Sequence, residues 1–115
     1  LIVPVPLHSR RKRKRGFNQA EIVAKVLSEN TGIAMDAGAV KRIKATSPQK
    51  ELGDKGRKRN IKGAFAVQKN VKGENIVLID DIYTTGSTLD EAARVLKKAG
   101  AENVYFLTVS IGQGI

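Results

Sequence analysis

The chain is 115 residues long with a formal net charge of +10 at pH 7, which indicates a single domain whose surface suits an anionic partner. It contains no Cys, which excludes disulfides, thiolate zinc sites and cysteine nucleophiles and fits a reducing compartment, so we expect a cytoplasmic location. No apolar run approaches the roughly 18 residues of a membrane span, and we expect no membrane partner.

The charge is unevenly distributed along the chain. Residues 1–72 carry 18 Lys or Arg against 5 Asp or Glu, whereas residues 73–115 carry 3 against 6. Three surroundings fit the basic part: nucleic acid, a phosphorylated small molecule, or solvent alone. Because the sequence starts at Leu1 with no initiator Met, we expect residues 1–115 to be one domain of a longer chain.

The first predicted elements are a strand, a basic loop and a helix. The apolar residues 1–6 predict a strand that ends near Pro4, because proline donates no ladder hydrogen bond. Residues 8–15 predict a loop, since six consecutive basic side chains from Arg10 repel one another. A helix is predicted from Asn18, its N-cap, to about Glu29. Its predicted apolar face consists of Ala20, Ile22, Val23, Val26 and Leu27.

The middle of the chain predicts short strands around a long loop. Strands are predicted at residues 33–35, 40–43 and 63–67. Residues 44–60 are polar, with Pro48, Gly53 and Gly56 and almost no core material, so they predict a loop. Loops of this length inside compact domains are usually functional or disordered.

The last third of the chain predicts a strand, a loop, a helix and a strand. Residues 76–79 form a continuous aliphatic run, typical of a strand buried on both faces. A helix should follow to about Ala99, with Gly100 just past its end, and residues 104–110 predict the last strand. A strand, helix and strand in this order imply a right-handed βαβ unit and a parallel sheet.

Between that strand and that helix lies the candidate site. Ligands of open α/β sheets bind at the carboxyl ends of the strands, where Asp80 and Asp81 precede a hydroxyl-rich loop: Thr84, Thr85, Gly86, Ser87 and Thr88. A helix N-terminus favours an anion such as a phosphate, and ionised carboxylates accept hydrogen bonds from sugar hydroxyls. A ribose 5-phosphate group suits both parts of the site, with its hydroxyls on the two carboxylates and its phosphate in the loop before the helix. The simpler alternative is a solvated turn before an ordinary helix start.

The segment IVLIDDIYTTGSTL, residues 76–89, resembles the phosphoribosyl pyrophosphate (PRPP) signature of type I phosphoribosyltransferases. The resemblance implies an α/β fold with a parallel sheet of about five strands flanked by helices. It implies that Asp80 and Asp81 bind the ribose 2′- and 3′-hydroxyls and that residues 84–88 wrap the 5′-phosphate. It also implies Mg²⁺ as cofactor, held by PRPP oxygens and water rather than by a protein metal site, with Asp80 as the one candidate protein ligand.

The segment VPVPLHSRRKRKRGFNQAE, residues 3–21, together with Thr46, Gln49, Arg57 and residues 60–65, resembles the ComF (competence protein F) family of such domains. This resemblance runs from about residue 2 to residue 110. It implies a link to DNA uptake in natural transformation, and a four-Cys zinc module that usually precedes the domain.

The resemblance also gives the basic residues roles. In type I members the loop after the first strand holds the pyrophosphate, which implies that Arg10 and Arg11 contact it. The flexible catalytic loop of the family corresponds to residues 44–60, which implies Arg57 and Lys58 as catalytic residues. One pyrophosphate does not need the four basic residues that follow, Lys12, Arg13, Lys14 and Arg15. Their alternative partner is either a nucleic acid such as single-stranded DNA or solvent.

Two functions follow as hypotheses. The first is an Mg²⁺-dependent phosphoribosyltransferase that binds PRPP, or another ribose 5-phosphate ligand, and releases pyrophosphate. The second is a DNA-uptake accessory protein that keeps the fold for binding, has little catalysis and holds nucleic acid through its basic residues. The sequence leaves open whether the chain is an active enzyme, which acceptor it uses and its oligomeric state.

Overall fold

The computed structural model describes residues 1–6, 18–43, 61–83 and 86–111, and of residues 82, 83, 110 and 111 only the backbone. Both predicted loops, at residues 8–15 and 44–60, lie outside these ranges. The described part contains five strands and two helices. In chain order they are β1 (Ile2–Pro4), α1 (Gln19–Thr31), β2 (Val40–Arg42), β3 (Phe65–Val67), β4 (Asn75–Tyr83), α2 (Ser87–Lys98) and β5 (Asn103–Ile111).

The centre of the fold is a parallel sheet in the order β1-β4-β5. Side chains of β4 alternate between two apolar clusters, as the aliphatic run predicts. Ile76 and Leu78 belong to the cluster that includes α2 and the β2–β3 pair, whereas Ile79, with Val77 packed beside it, belongs to the cluster under α1. Helices therefore cover both faces of β4, and the predicted α/β class is confirmed.

The five strands do not all join this sheet. β2 and β3 form a separate antiparallel pair, so the parallel sheet of the described part has three strands. Residues 33–35, predicted as a strand, make only an isolated parallel bridge between Met35 and Ile2. Two backbone hydrogen bonds form this bridge: the N–H of Ile2 donates to the carbonyl of Ala34, and the N–H of Asp36 donates to the carbonyl of Ile2. The turn at Gly38 follows too closely for a longer ladder.

The β2–β3 pair brings together described residues from the two sides of the segment 44–60. The N–H of Ile43 donates to the carbonyl of Ala64 over 2.7 Å, just beyond the paired strands. α2 packs against β3, so this pair lies on the same side of the parallel sheet as α2. Ile43 and Ala64, which lie on either side of residues 44–60 in the sequence, are therefore neighbours beside the β4–α2 unit.

Helix α1 begins as predicted at Asn18, whose side chain has two partners. Its Oδ1 accepts the N–H of Ala20 over 3.1 Å, and its Nδ2 donates to the carbonyl of Val5 over 3.1 Å. The helix ends at Gly32. The predicted apolar face is partly wrong: Ala20 and Ala24 are the buried residues, because small side chains let the helix lie close to the sheet, and Ile22 and Val26 are about half exposed.

Asn18→Ala is expected to lower the free energy of unfolding by about 1–3 kcal/mol. The substitution removes an N-cap, which is worth about 1 kcal/mol, and leaves the buried carbonyl of Val5 without its donor. Urea unfolding checks this against Asn30→Ala, which removes an exposed side chain that bonds a carbonyl of its own helix. Equal stability of the two variants would mean that the two hydrogen bonds of Asn18 contribute no more to stability than the exposed bond of Asn30.

Helix α2 ends at a glycine, as predicted. The N–H of Gly100 donates to Lys97 and that of Ala101 to Leu96, the paired bonds of a Schellman motif. Gly100 has a φ of 106°, which side chains rarely tolerate. No helix in the described ranges is long and apolar enough to cross a membrane.

Candidate functional site

The two acidic residues lie inside β4 rather than after it. The sequence predicts that the strand ends at Ile79, but it continues to Tyr83 because β5 is long enough to pair with it. Asp80 is in register with Thr108, and Ile82 with Ser110. Both acids are half-buried. The extra pairing fixes the backbone of both acids near the carboxyl end of the central strand.

Asp80 and Asp81 form a hydrogen-bonded pair. The N–H of Asp81 donates to Oδ1 of Asp80 over 2.9 Å, and the two side chains also share a hydrogen bond. Burial raises the pKa of Asp80 to about 7, and the bond to Asp81 and its charge act in the same direction. Asp80 therefore loses its proton near neutral pH, and its carboxyl oxygens can accept hydrogen bonds from hydroxyl donors.

The N-terminus of α2 follows three residues after β4. Its N-cap is Gly86 with a φ of 81°, a residue with no side chain of its own to cap the first turn. Only glycine adopts this conformation readily. The carbonyl of Gly86 accepts a hydrogen bond from the N–H of Asp90 over 2.8 Å. Of the next two residues, Ser87 is buried and Thr88 is half-buried. The N-terminus of a helix offers backbone N–H groups and the positive end of the helix dipole to an anion.

Sequence reasoning missed Arg42. This arginine is only 8% exposed, and its guanidinium carbon lies 5.5 Å from the centre of the Phe65 ring. Its charge, like the backbone N–H of Asp81, lowers the pKa of Asp80 against the larger effect of burial. A signal was present: the strand 40–43 alternates, so if Val40 faces the core, Arg42 does too.

Glu91 was missed as well. Glu91 is 8% exposed. Its carboxylate accepts two hydrogen bonds from Arg94, of 2.9 and 2.6 Å, and one of 3.1 Å from the N–H of Gly63. These donors hold the pKa of Glu91 below its usual value. The i, i+3 spacing of Glu91 and Arg94 was visible in the sequence, but the contact with Gly63 was not. Glu91 ties the chain just after residues 44–60 to α2.

The structure places some of the predicted site residues and leaves others outside its description. Asp80, Asp81, Gly86, Ser87 and Thr88 follow one another at the end of β4 and the start of α2. The remaining predicted site residues lie outside the described ranges: Arg10, Arg11, Lys12, Arg13, Lys14, Arg15, Arg57, Lys58, Thr84 and Thr85.

Residues 13–111 match the family model of the phosphoribosyl transferase domain. The DNA utilization protein YhgH of Salmonella typhi is 44% identical over 103 residues, 90% of this chain and 45% of that protein. Competence protein F of Haemophilus influenzae is 42% identical over 90% of this chain and 46% of its own length.

Competence protein ComFC of Bacillus subtilis is 36% identical over 95% of this chain and 43% of its own length. The chain thus spans a little under half the length of these curated relatives. The match covers β4, α2 and β5, which carry the described part of the site, and the resemblance to ComF proteins is confirmed. The chain belongs to the phosphoribosyl transferase domain family.

Proposed function

We propose that this domain binds PRPP at the junction of β4 and α2. One observation carries the proposal: two adjacent carboxyls and a helix N-terminus that begins at a glycine follow each other at the carboxyl end of the central strand. Asp80 and Asp81 accept the ribose 2′- and 3′-hydroxyls. The 5′-phosphate binds to the first N–H groups of α2 and to the hydroxyls of Thr84, Thr85, Ser87 and Thr88.

The two halves of the site need opposite chemistry, and the chain supplies both. A phosphate is repelled by the acidic pair and attracted by the helix dipole and N–H groups. A neutral diol is indifferent to the dipole and forms strong hydrogen bonds to carboxylate oxygens. The ligand that suits this order of groups carries its diol on one side and its phosphate on the other.

Mg²⁺ fits the donor set of the proposed site. Mg²⁺ keeps several waters and takes one or two carboxylates together with substrate phosphates. Within the described ranges, no three His, Cys, Asp or Glu side chains are grouped to hold a metal, so the ion would be held by the pyrophosphate of PRPP and by Asp80. When bound, it would neutralise charge on the leaving pyrophosphate.

Transfer of the phosphoribosyl group is the reaction that we propose for such a complex. The bond between ribose C1 and pyrophosphate breaks, a bond from the acceptor to C1 forms, and the acceptor loses a proton to solvent. The protein acts by position and charge. Arg10 and Arg11 hold the pyrophosphate, and Arg57 and Lys58 neutralise it as it leaves.

Thermal unfolding with and without ligand tests the proposal. PRPP with Mg²⁺ at 100 times its Kd adds about 2.7 kcal/mol of stability, which raises the Tm by several degrees. Inorganic pyrophosphate with Mg²⁺ is the control, because it offers the same anion without the ribose. A pyrophosphate shift as large as the PRPP shift would mean that basic residues bind anions and that no ribose site exists.

A second candidate function is nucleic-acid binding through residues 12–15. The relatives' names, a DNA utilization protein and competence proteins, favour it, as does the run of six basic residues. Replacing Lys12, Arg13, Lys14 and Arg15 with Ser is expected to weaken binding of single-stranded DNA and to lower the salt slope by up to about 3.

Fluorescence anisotropy at 50 and 200 mM salt measures this effect. The control variant loses the same four charges at exposed lysines elsewhere: Lys25, Lys41, Lys72 and Lys98. If both variants weaken binding equally, net charge alone explains it and residues 12–15 form no specific site.

A further inference from the structure

Strand β5 leaves a contiguous group of large apolar side chains in solvent. The described ranges contain eight exposed side chains of this kind, and four of them, each 44–59% exposed, belong to this one strand: Tyr105, Phe106, Leu107 and Val109. Single exposed apolar side chains are normal on soluble proteins, whereas a contiguous group marks an interaction surface. The group therefore needs an explanation that applies to β5 as a whole.

The exposed side chains of β5 lie on both faces of the sheet. Leu107 is in register with Ile79 of β4, which packs under α1. Phe106 is in register with Leu78, whose cluster includes α2. A missing helix would expose one face only. Exposure on both faces indicates instead that β5 lacks a neighbour beside it.

The two edges of the described sheet differ in the same sense. The outer edge of β1 is covered, because Ile2 exchanges backbone hydrogen bonds with Ala34 and Asp36. Among the described strands, β5 pairs with β4 alone. Natural proteins usually block such an edge with a charged residue or a proline, and the nine residues of β5 include neither. The edge of β5 is therefore suited to pairing with another strand.

A second copy of β5 is complementary to the first. The strand runs from Asn103 to Ile111, so a two-fold axis at its midpoint, Leu107, pairs two copies antiparallel over their full length. Tyr105 then lies opposite Val109, and an aromatic residue opposite a β-branched one stabilises antiparallel strands. Two chains of net charge +10 repel each other, and a contact through β5 adds no charge to that repulsion.

We propose that two copies of this chain associate through β5, whose outer edges pair antiparallel about a two-fold axis at Leu107. The four exposed side chains offer roughly 400 Å² per copy, since one aromatic side chain alone buries about 150–250 Å². The contact buries about 800 Å² in all, below the roughly 1,200 Å² at which standard interfaces begin. The dimer is therefore weak and reversible, and it does not depend on which ligand the acidic pair binds.

Sedimentation equilibrium of the purified chain at concentrations from about 10 μM to about 1 mM tests the proposal. The average mass should rise from that of one chain toward that of two and stop there, because a two-fold contact closes on itself. Higher salt should strengthen the dimer, since salt screens the repulsion between two positive chains.

Leu107→Asp should weaken association at least about tenfold, because it places two carboxylates opposite each other on the axis. The matched control is Val26→Asp, which makes the same change of charge at a side chain of α1 that is 52% exposed. This control should associate as wild type does. Both variants lower the net positive charge equally, so a difference between them reports the location of the contact.

A chain that stays monomeric over the whole concentration range would overturn the proposal, and so would a mass that grows beyond two copies. If Val26→Asp weakens association as much as Leu107→Asp does, the contact does not lie on β5. Should Leu107→Asp unfold, Tyr105→Asp decides at a more exposed position of the same strand. Loss of the dimer in that variant supports the pairing of β5, and an unchanged dimer contradicts it.

Discussion

Replacing Asp80 and Asp81 together with alanine is expected to abolish the Tm rise caused by PRPP and Mg²⁺. The change removes both acceptors of the ribose diol and the candidate protein ligand of Mg²⁺. A hydrogen bond to a charged group is worth about 1.5–3 kcal/mol, so losing two lowers affinity by a factor on the order of 100 to 10,000. The N-terminus of α2 is untouched, so residual binding reports the phosphate alone.

Differential scanning fluorimetry with a PRPP titration measures this loss. The matched control is the double substitution of Glu74 and Glu102 with alanine, two exposed acids at the opposite end of the sheet from Asp80. The control should shift with PRPP as wild type does. If the Asp80 and Asp81 variant shifts equally, the acids do not bind ribose.

The second large effect is a pH-dependent gain in stability from Asp80→Asn. Burial and Asp81 raise the pKa of Asp80 from 3.8 to about 7. Between these values the folded chain holds a proton that the unfolded chain has released, so the stability contributed by this group falls as pH rises. At about 1.4 kcal/mol per pH unit, the penalty above pH 7 is on the order of 2–4 kcal/mol. Asn cannot ionise and escapes it.

Urea unfolding at pH 4.5, 6 and 8 measures the difference between variant and wild type. The advantage of Asp80→Asn should be small at pH 4.5 and grow steadily to pH 8. Asp90→Asn, an exposed carboxylate in the first turn of α2, should show no such growth. An Asn variant that is less stable than wild type at pH 8 would mean that the ionised carboxylate stabilises the fold.

Together these two effects describe a residue that costs stability and serves binding. A carboxyl that is half-buried beside another carboxyl opposes folding, and such conflicts are expected at functional sites. Arg42 reduces the conflict without removing it, since the pKa of Asp80 remains raised. A purely structural explanation of Asp80 predicts the reverse sign of the Asn substitution.

Much of the fold was visible in the sequence because local chemistry determines it. Asn18 caps α1, Gly32 and Gly100 follow the helices, and the aliphatic run of β4 is buried on both faces. Order along the chain was enough to put the acidic pair before the helix N-terminus. These features depend on residues near one another in sequence.

What escaped prediction depends on distant partners. β4 continues beyond Ile79 because β5 pairs with it, and no property of Ile82 or Tyr83 reveals the length of the neighbouring strand. Helix α1 buries Ala24 in preference to Ile22 and Val26 because closeness to the sheet outweighs side-chain size. Arg42 acts on an acid 38 positions away in the chain, and only the folded arrangement brings the two together.

A crystal structure of the domain with PRPP and Mg²⁺ tests the central claim most directly. The account predicts that the 5′-phosphate lies on the N–H groups of residues 86–88 and that the ribose 2′- and 3′-hydroxyls donate to Asp80 and Asp81. PRPP bound through its phosphates to the basic residues alone, with its ribose diol away from both acids, would contradict it.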